Sequence, residues 1–183
     1  MTIPNIITIG RFLAVPAIIY ALAHQQMQLA FALFLAAGIS DAVDGFIARH
    51  FNQRSELGAW LDPLADKLLL VSVYIMLGIT GKFPDWLVIL VVSRDVLIVG
   101  AVVLSSVMAQ PMEAQPILIS KANTAAQIVL VAVKLSALAF SLSLDGATQA
   151  LTVVVAVLTI LSAASYFRIW IRHMGVAGRS SQE

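Results

Sequence analysis

The sequence predicts an all-α integral membrane protein with six transmembrane helices. Its 183 residues are 60% hydrophobic and only 11% charged, whereas soluble domains carry about 25% charged residues. The mean hydropathy is +0.94, and six apolar stretches have the length of about 20 residues that a helix needs to cross a bilayer. Because so few charged side chains cannot cover a water-soluble surface, most of the chain is predicted to lie in lipid.

The six stretches are joined by short connections with turn-forming residues, such as Asp145-Gly146. They are predicted to form a single transmembrane domain over residues 1–174, followed by a disordered cytoplasmic tail over residues 175–183. The stretches run from Ile6 to Ala23, Gln28 to Arg49, Leu57 to Gly81, Pro84 to Met108, Ser120 to Ser143 and Thr148 to Ile171.

The distribution of lysine and arginine predicts the orientation, because short cytoplasmic loops carry an excess of both. With the N-terminus inside, the outer loops hold only Lys82, and both termini are expected to be cytoplasmic. An alternative for the first stretch is a secretory signal that ends at Ala21-Leu22-Ala23, but the resemblance described below includes residues before that point. The inner side holds Arg11, Arg49, Arg54, Lys121, Arg168, Arg172 and Arg179.

Composition excludes several classes of function. The net charge of +1 creates no field that would attract nucleic acid. The chain has no cysteine, and its three histidines at positions 24, 50 and 173 are far apart in the sequence, so a zinc site is not expected. Any bound metal would be held by oxygen atoms and would be a hard cation such as Mg²⁺ or Mn²⁺.

Four aspartates lie inside or at the ends of the second and third stretches. An ionised residue at the centre of a membrane span costs at least about 2.5–3.5 kcal/mol. The first two are three residues apart and the last two are four apart, so each pair shares one helical face. Both pairs are expected near the cytoplasmic ends of antiparallel helices, where divalent cations would compensate the mutual repulsion of their carboxylates. These residues are Asp41, Asp44, Asp62 and Asp66.

The residues between the aspartates suggest a bound phosphate group. Gly45, Ala48 and Gly58 leave room beside the acids, and Arg49 supplies a fixed cation suited to phosphate oxygens. Together with the carboxylates they suggest a metal-chelated pyrophosphate. Taken alone, the small residues are more typical of helix packing, and a single aspartate is often the partner of a nearby cation such as Lys67.

The region reads Asp41-x2-Asp44-Gly45-x2-Ala48-Arg49-x8-Gly58-x3-Asp62-x3-Asp66. It resembles the signature of the CDP-alcohol phosphatidyltransferases at all eight positions and in every gap. The resemblance implies the six-helix architecture of that family and an enzyme that moves a phosphatidyl group from a CDP-lipid to a hydroxyl group.

The resemblance also implies a role for each motif position. The four aspartates would bind one or two Mg²⁺ or Mn²⁺ ions, and Asp66 would be the general base for the acceptor hydroxyl. A homodimer is implied as well. The residues expected at the CDP moiety are Asp41, Gly45, Ala48, Arg49, Gly58 and Asp62.

Three further segments are similar to the CMP-forming cardiolipin synthases of this family: Asn52-Gln53-Arg54-Ser55, Ser93-Arg94-Asp95-Val96 and residues 119–127. This similarity implies CDP-diacylglycerol as donor, phosphatidylglycerol as acceptor, and cardiolipin and CMP as products.

The anionic acceptor would need polar and cationic contacts, for which Arg94, Lys121 and Asn123 are the candidates. An alternative for Arg94 is an ion pair with Asp95. An alternative for Lys121 is that it only obeys the positive-inside rule. Asp145 is predicted to be a turn residue.

Two other functions compete with this one. One is a phosphatidylglycerophosphate synthase, which uses glycerol 3-phosphate as acceptor; the segment Ile3–Arg11 is similar both to these enzymes and to the CMP-forming cardiolipin synthases. A divalent-cation transporter would also place acids in the membrane, but these acids lie near one face and no inverted repeat is visible. A bacterial inner membrane is the expected location, because no transit peptide precedes Met1.

Overall fold

The computed structural model describes the backbone of residues 3–50, 56–107 and 118–180, and the side chains within residues 10–40, 65–100 and 118–168. In these ranges the regular secondary structure is entirely α-helical, which confirms the all-α prediction for this part of the chain. The helices are α1 (Ile3–Ala23), α2 (Met27–His50), α3 (Glu56–Ile79), α4 (Asp85–Val107), α5 (Leu118–Phe140) and α6 (Asp145–Ser180).

Each predicted stretch corresponds to one helix, and the first five agree within three residues at both ends. The sixth is longer than predicted. It begins at Asp145, so the prediction that Asp145 is a turn residue is wrong. An acidic residue in the first turn is stabilised by the partial positive charge of the helix N-terminus.

The same helix continues to Ser180, so residues 175–180 are helical where the sequence predicts a disordered tail. Proline interrupts helices, and the last proline of the chain is Pro116, so the sequence of α6 contains none. Residues 181–183 of the predicted tail lie outside the described part of the chain.

Among the residues whose side chains are described, two helical segments are long and apolar enough to cross a membrane: Leu118–Phe140 and, within α6, Asp145–Arg168. Gly10–Ala23 and Met27–Ser40 are apolar helical segments that are shorter than a full span. The described side chains therefore support two membrane spans, and the arrangement with six spans stays a prediction.

The chain divides into two compact units, and the single domain predicted over residues 1–174 stays a prediction. One unit contains Met1–Asp85 and Val131–Thr148, and the other contains Trp86–Leu130 and Gln149–Glu183. In the first unit α1 packs against α2 and α3. Its fully buried side chains include Ile18, Leu22, Val73, Tyr74, Leu77 and Leu135.

Within the first unit, a hydrogen bond and an aromatic contact connect α2 to the end of α5. The side-chain amide of Gln28 donates to the carbonyl oxygen of Ala139 at 3.3 Å. One helical turn from Gln28, the ring of Phe31 meets that of Phe140 edge to face, with 5.6 Å between the ring centroids. In the second unit the buried apolar residues include Leu87, Val91, Leu130 and Val155.

Three helices of the first unit end in the same way. One or two residues after the end of each helix the backbone is left-handed, and the N–H of the residue that follows donates to the carbonyl five residues earlier, as in the Schellman motif. The left-handed residues are Gln25 (φ 57°), Gly81 (φ 67°) and Ser141 (φ 53°). The hydrogen bonds run from Gln26 to Ala21 at 2.8 Å, Lys82 to Leu77 at 2.7 Å and Leu142 to Ala137 at 3.0 Å.

Gly81→Ala is expected to lower the free energy of unfolding by about 1 kcal/mol, because the left-handed conformation costs a residue with a Cβ atom about that much or more. Added bulk is not the reason, since no atom lies within 4 Å of the new methyl group. Gly100→Ala in α4 is the matched control. It also meets open space, and alanine should stabilise that helix by up to about 1 kcal/mol. Unfolding in detergent measures both, and equal shifts would contradict the conformational explanation.

Candidate active site

The eight motif residues lie on two helices that follow one another in the chain. Asp41 through Arg49 are on α2, and Gly58 through Asp66 are on α3. The helical backbone at these positions puts Asp41 and Asp44 on one face of α2, and the same holds for the second pair on α3. Of the eight side chains, that of Asp66 is described; the other seven lie outside the described side chains.

Asp66 contacts a buried cation from another helix. Its Oδ1 atom accepts a hydrogen bond from Nη1 of Arg11, which lies 55 residues earlier on α1. The Arg11 side chain is 2% exposed, whereas that of Asp66 is 45% exposed. A buried guanidinium requires a paired acceptor, and the packing of α1 against α3 brings the carboxylate to it.

The sequence predicts for Arg11 only a position on the inner side of the membrane, and its contact with the motif was not predicted. A signal was present, because Arg11 is the only charged residue in the α1 sequence. A single charge in an apolar segment usually has a partner elsewhere. Nothing in the local sequence identifies that partner, since the contact depends on how α1 packs against α3.

A second group of buried polar residues lies in the other unit, around Arg94. Its Nη1 atom donates to Asp95 at 2.5 Å, and its Nη2 atom donates to Ser120 at 2.5 Å. Ser162 accepts from both Nε at 3.2 Å and Nη2 at 2.7 Å. Arg94 is 3% exposed and Asp95 is 7% exposed. One guanidinium therefore ties α4, α5 and α6 together.

Asn123 and Thr159 extend this group by one helical turn on α5 and α6. The hydroxyl oxygen of Thr159 lies 3.0 Å from the side-chain oxygen of Asn123 and 2.7 Å from the carbonyl oxygen of Val155. A hydroxyl has one proton to donate. Both contacts are therefore satisfied when the amide of Asn123 is turned so that its NH₂ group donates to Thr159. That orientation also gives a partner to the Asn123 nitrogen, which otherwise has none among the described residues.

The structure thus describes the side chains of all three residues that the sequence predicts to contact the acceptor. Arg94 makes the ion pair with Asp95 that the sequence left open as an alternative. Asn123 is completely buried, and Lys121 is exposed on the first turns of α5. A contact of any of them with the acceptor stays a prediction.

The metal site also stays a prediction. Among the described side chains no group of three or more His, Cys, Asp or Glu residues is placed to hold a metal ion, and three of the four predicted ligands lie outside those side chains. The donor set fits Mg²⁺ or Mn²⁺ chemically, because it consists of carboxylate oxygens. The described member, Asp66, presents a partly exposed carboxylate.

Comparison with known proteins identifies the family. The family model of the CDP-alcohol phosphatidyltransferases matches residues 1–174. The chain belongs to this family. The match covers α1 to α5 and most of α6, so all the residues discussed here fall within it.

Two relatives in this family bear the same enzyme name. A protein of Homo sapiens named cardiolipin synthase (CMP-forming) is 36% identical over 91% of this chain and 60% of its own length. A fusion protein of Schizosaccharomyces pombe, named cardiolipin synthase (CMP-forming) / mitochondrial hydrolase, is 36% identical over 90% of this chain and 30% of its own length.

A third relative bears a different name. It is a chloroplastic protein of Oryza sativa named CDP-diacylglycerol–glycerol-3-phosphate 3-phosphatidyltransferase 1, and it is 34% identical over 74% of this chain and 46% of its own length. The chain spans at most about 60% of the length of these three relatives.

Ser162→Ala is expected to lower the free energy of unfolding by about 1–3 kcal/mol, because two buried N–H groups of Arg94 lose their acceptor. Ser165→Ala, three residues further along α6, is the control. The hydroxyl of Ser165 donates to the carbonyl of Leu161 in its own helix at 2.8 Å, and its loss should change stability by less than about 0.5 kcal/mol. Thermal unfolding in detergent compares them. Similar losses of unfolding free energy from the two changes would show that the contacts of Ser162 with Arg94 contribute little to stability.

Proposed function

We propose that this protein transfers the phosphatidyl group of CDP-diacylglycerol to phosphatidylglycerol, giving cardiolipin and CMP. The observation that carries the proposal is the complete eight-residue motif within a chain that belongs to the CDP-alcohol phosphatidyltransferase family. The choice of acceptor is supported by the two relatives named cardiolipin synthase (CMP-forming).

The aspartates of α2 and α3 hold one or two Mg²⁺ or Mn²⁺ ions in this proposal. When bound, such ions neutralise the charge of the transferring phosphoryl group and of the leaving phosphate. Arg49 contacts phosphate oxygens, and Gly45, Ala48 and Gly58 leave room for the cytidine nucleotide. Asp41 and Asp62 take part in both the metal site and the CDP site.

Asp66 accepts the proton of the acceptor hydroxyl in the proposed reaction. The hydroxyl oxygen forms a bond to the phosphorus that carries diacylglycerol, the bond from this phosphorus to the bridging oxygen breaks, and CMP leaves with that oxygen. A general base must be within hydrogen-bond reach of the proton that it removes. The 45% exposure of the Asp66 side chain is compatible with such access.

We also propose that all six helices cross a cell inner membrane, with both termini and the active site on the cytoplasmic side, and that the protein is a homodimer. The two spans that the described residues support and the lysine and arginine distribution are the basis for the membrane arrangement. The homodimer rests on the family resemblance.

The second candidate function is that of a phosphatidylglycerophosphate synthase, with glycerol 3-phosphate as acceptor. The Oryza sativa relative favours it, because its name describes that reaction. The two candidates share the donor, the metals and the motif, and they differ only in the acceptor.

Supplying each acceptor separately distinguishes them. Purified protein receives CDP-diacylglycerol, Mg²⁺ or Mn²⁺, and either phosphatidylglycerol or glycerol 3-phosphate, and mass spectrometry identifies the lipid formed. We expect cardiolipin from phosphatidylglycerol and no phosphatidylglycerophosphate. The opposite pattern would overturn the choice of acceptor, and no CMP release with either acceptor would overturn the proposed activity.

Asp66→Asn is expected to abolish turnover, because the amide cannot act as a base and is a poorer metal ligand. Asp145→Asn should leave turnover nearly unchanged, since Asp145 is an exposed residue at the start of α6. CMP release under saturating substrates measures both. Comparable losses would mean that the catalytic group lies elsewhere.

Lys121→Gln tests the acceptor site. If the exposed ammonium group binds the phosphate of phosphatidylglycerol, its loss should raise KM for that lipid by about tenfold, an energy of about 1.4 kcal/mol. KM for CDP-diacylglycerol should change by less than about twofold, which corresponds to less than half of the energy of a tenfold change. Lys134→Gln, also on α5, is the matched control. Equal KM values for the two variants and the wild type would exclude this role.

A further inference from the structure

The contact between Arg11 and Asp66 places a permanent positive charge beside one of the four motif aspartates. Arginine stays protonated throughout the physiological pH range. Its side chain is almost completely buried, while that of Asp66 is 45% exposed. The cation is therefore fixed in the helix packing, and any ligand of this carboxylate must share it with Arg11.

We propose that Arg11 lowers the affinity of the aspartate site for divalent ions, so that tight metal binding requires the pyrophosphate of the CDP-lipid. This inference rests on the proposed function, because it takes the four aspartates as the metal ligands and the CDP-lipid as the donor.

The charges support the proposal. Four ionised aspartates carry four negative charges, which alone would balance two divalent ions. Arg11 removes one of these charges from the balance, so two bound ions would leave the site with excess positive charge. The pyrophosphate diester of a CDP-lipid carries two negative charges, which removes this excess and leaves the site with a single net negative charge. Metal and donor should therefore bind together.

The direction of the effect follows from Coulomb repulsion. The guanidinium contacts Oδ1 of Asp66, so a divalent ion bound to the same carboxylate would be only a few ångströms from another cation. Such repulsion is strong where water screens poorly, and the side chain of Arg11 is almost completely buried. Neutralising Arg11 should therefore strengthen the binding of the metal alone.

Binding of Mn²⁺ to the purified protein in detergent tests this directly, because electron paramagnetic resonance counts the free ion. The dissociation constant is measured for the metal alone and with CDP-glycerol, a soluble CDP-alcohol that carries the same pyrophosphate diester. The variants are Arg11→Gln, which removes the charge, and Arg11→Lys, which keeps it. Arg168→Gln is the matched control, because Arg168 is an exposed arginine on α6.

We expect Arg11→Gln to bind Mn²⁺ alone about tenfold more tightly than the wild type. CDP-glycerol should tighten Mn²⁺ binding to the wild type by about tenfold or more, and to Arg11→Gln by clearly less. Arg11→Lys and Arg168→Gln should both behave like the wild type.

Unchanged Mn²⁺ affinity in Arg11→Gln would overturn the proposal. Weaker affinity would also overturn it, and would mean that Arg11 orients Asp66 for the metal. Should Arg11→Gln fail to fold, the wild type still decides the question, because Mn²⁺ binding that CDP-glycerol does not tighten is incompatible with the proposal.

CMP release by the wild type distinguishes a failure of the role proposed for Arg11 from a failure of the proposed function. A wild type that releases CMP from CDP-diacylglycerol, together with an Arg11→Gln variant of unchanged Mn²⁺ affinity, removes the role of Arg11 and leaves the enzyme activity standing. A wild type that neither binds Mn²⁺ nor releases CMP overturns both.

Discussion

Charge compensation between apolar helices is the constraint on which the rest of this structure depends. An ionised side chain that is removed from water is stable only when an opposite charge or several hydrogen-bond partners replace the lost hydration. In both ion pairs that the structure describes, a buried arginine meets an aspartate. Arg11 of α1 reaches Asp66 of α3, and Arg94 meets its neighbour Asp95 while it also binds serines of α5 and α6. Helices α1 and α3 must therefore pack so that Arg11 reaches Asp66, and α4, α5 and α6 must pack so that the serines reach Arg94.

The two pairs differ in their exposure, and this difference separates their roles. Arg94 and Asp95 are both buried, and the donors of the guanidinium are directed to groups of the protein itself. This pair contributes to helix association, for which hydrogen bonds between side chains of neighbouring helices are a known source of stability in apolar surroundings. In the other pair only the arginine is buried, and the carboxylate of Asp66 remains accessible. A partly exposed carboxylate that contacts a buried cation is suited to interact with a further ligand.

The family assignment and the packing of α1 complement each other. The CDP-alcohol phosphatidyltransferase family accounts for why acids occur at fixed spacing on α2 and α3. It does not by itself account for Arg11, which lies outside the eight-residue motif. The contact with Asp66 connects α1 to the motif, and it gives α1 a role in the electrostatics of the site besides its role in packing. The left-handed residue Gln25 after α1 reverses the chain, and α2, the next helix of the first unit, packs against α1.

The amino-acid sequence by itself determined the all-helical class, the approximate limits of the first five helices, the eight-residue motif and the family. These properties depend on composition, apolar length and spacing along the chain, all of which are local. The start of α6 at Asp145 and its continuation to Ser180 were less predictable, because helix ends depend on weak local preferences. Only the tertiary structure decided that Arg11 pairs with Asp66 and that Arg94 joins three helices. Such partners lie 26 to 68 residues apart, and the packing of whole helices, which no local pattern encodes, determines which side chains meet.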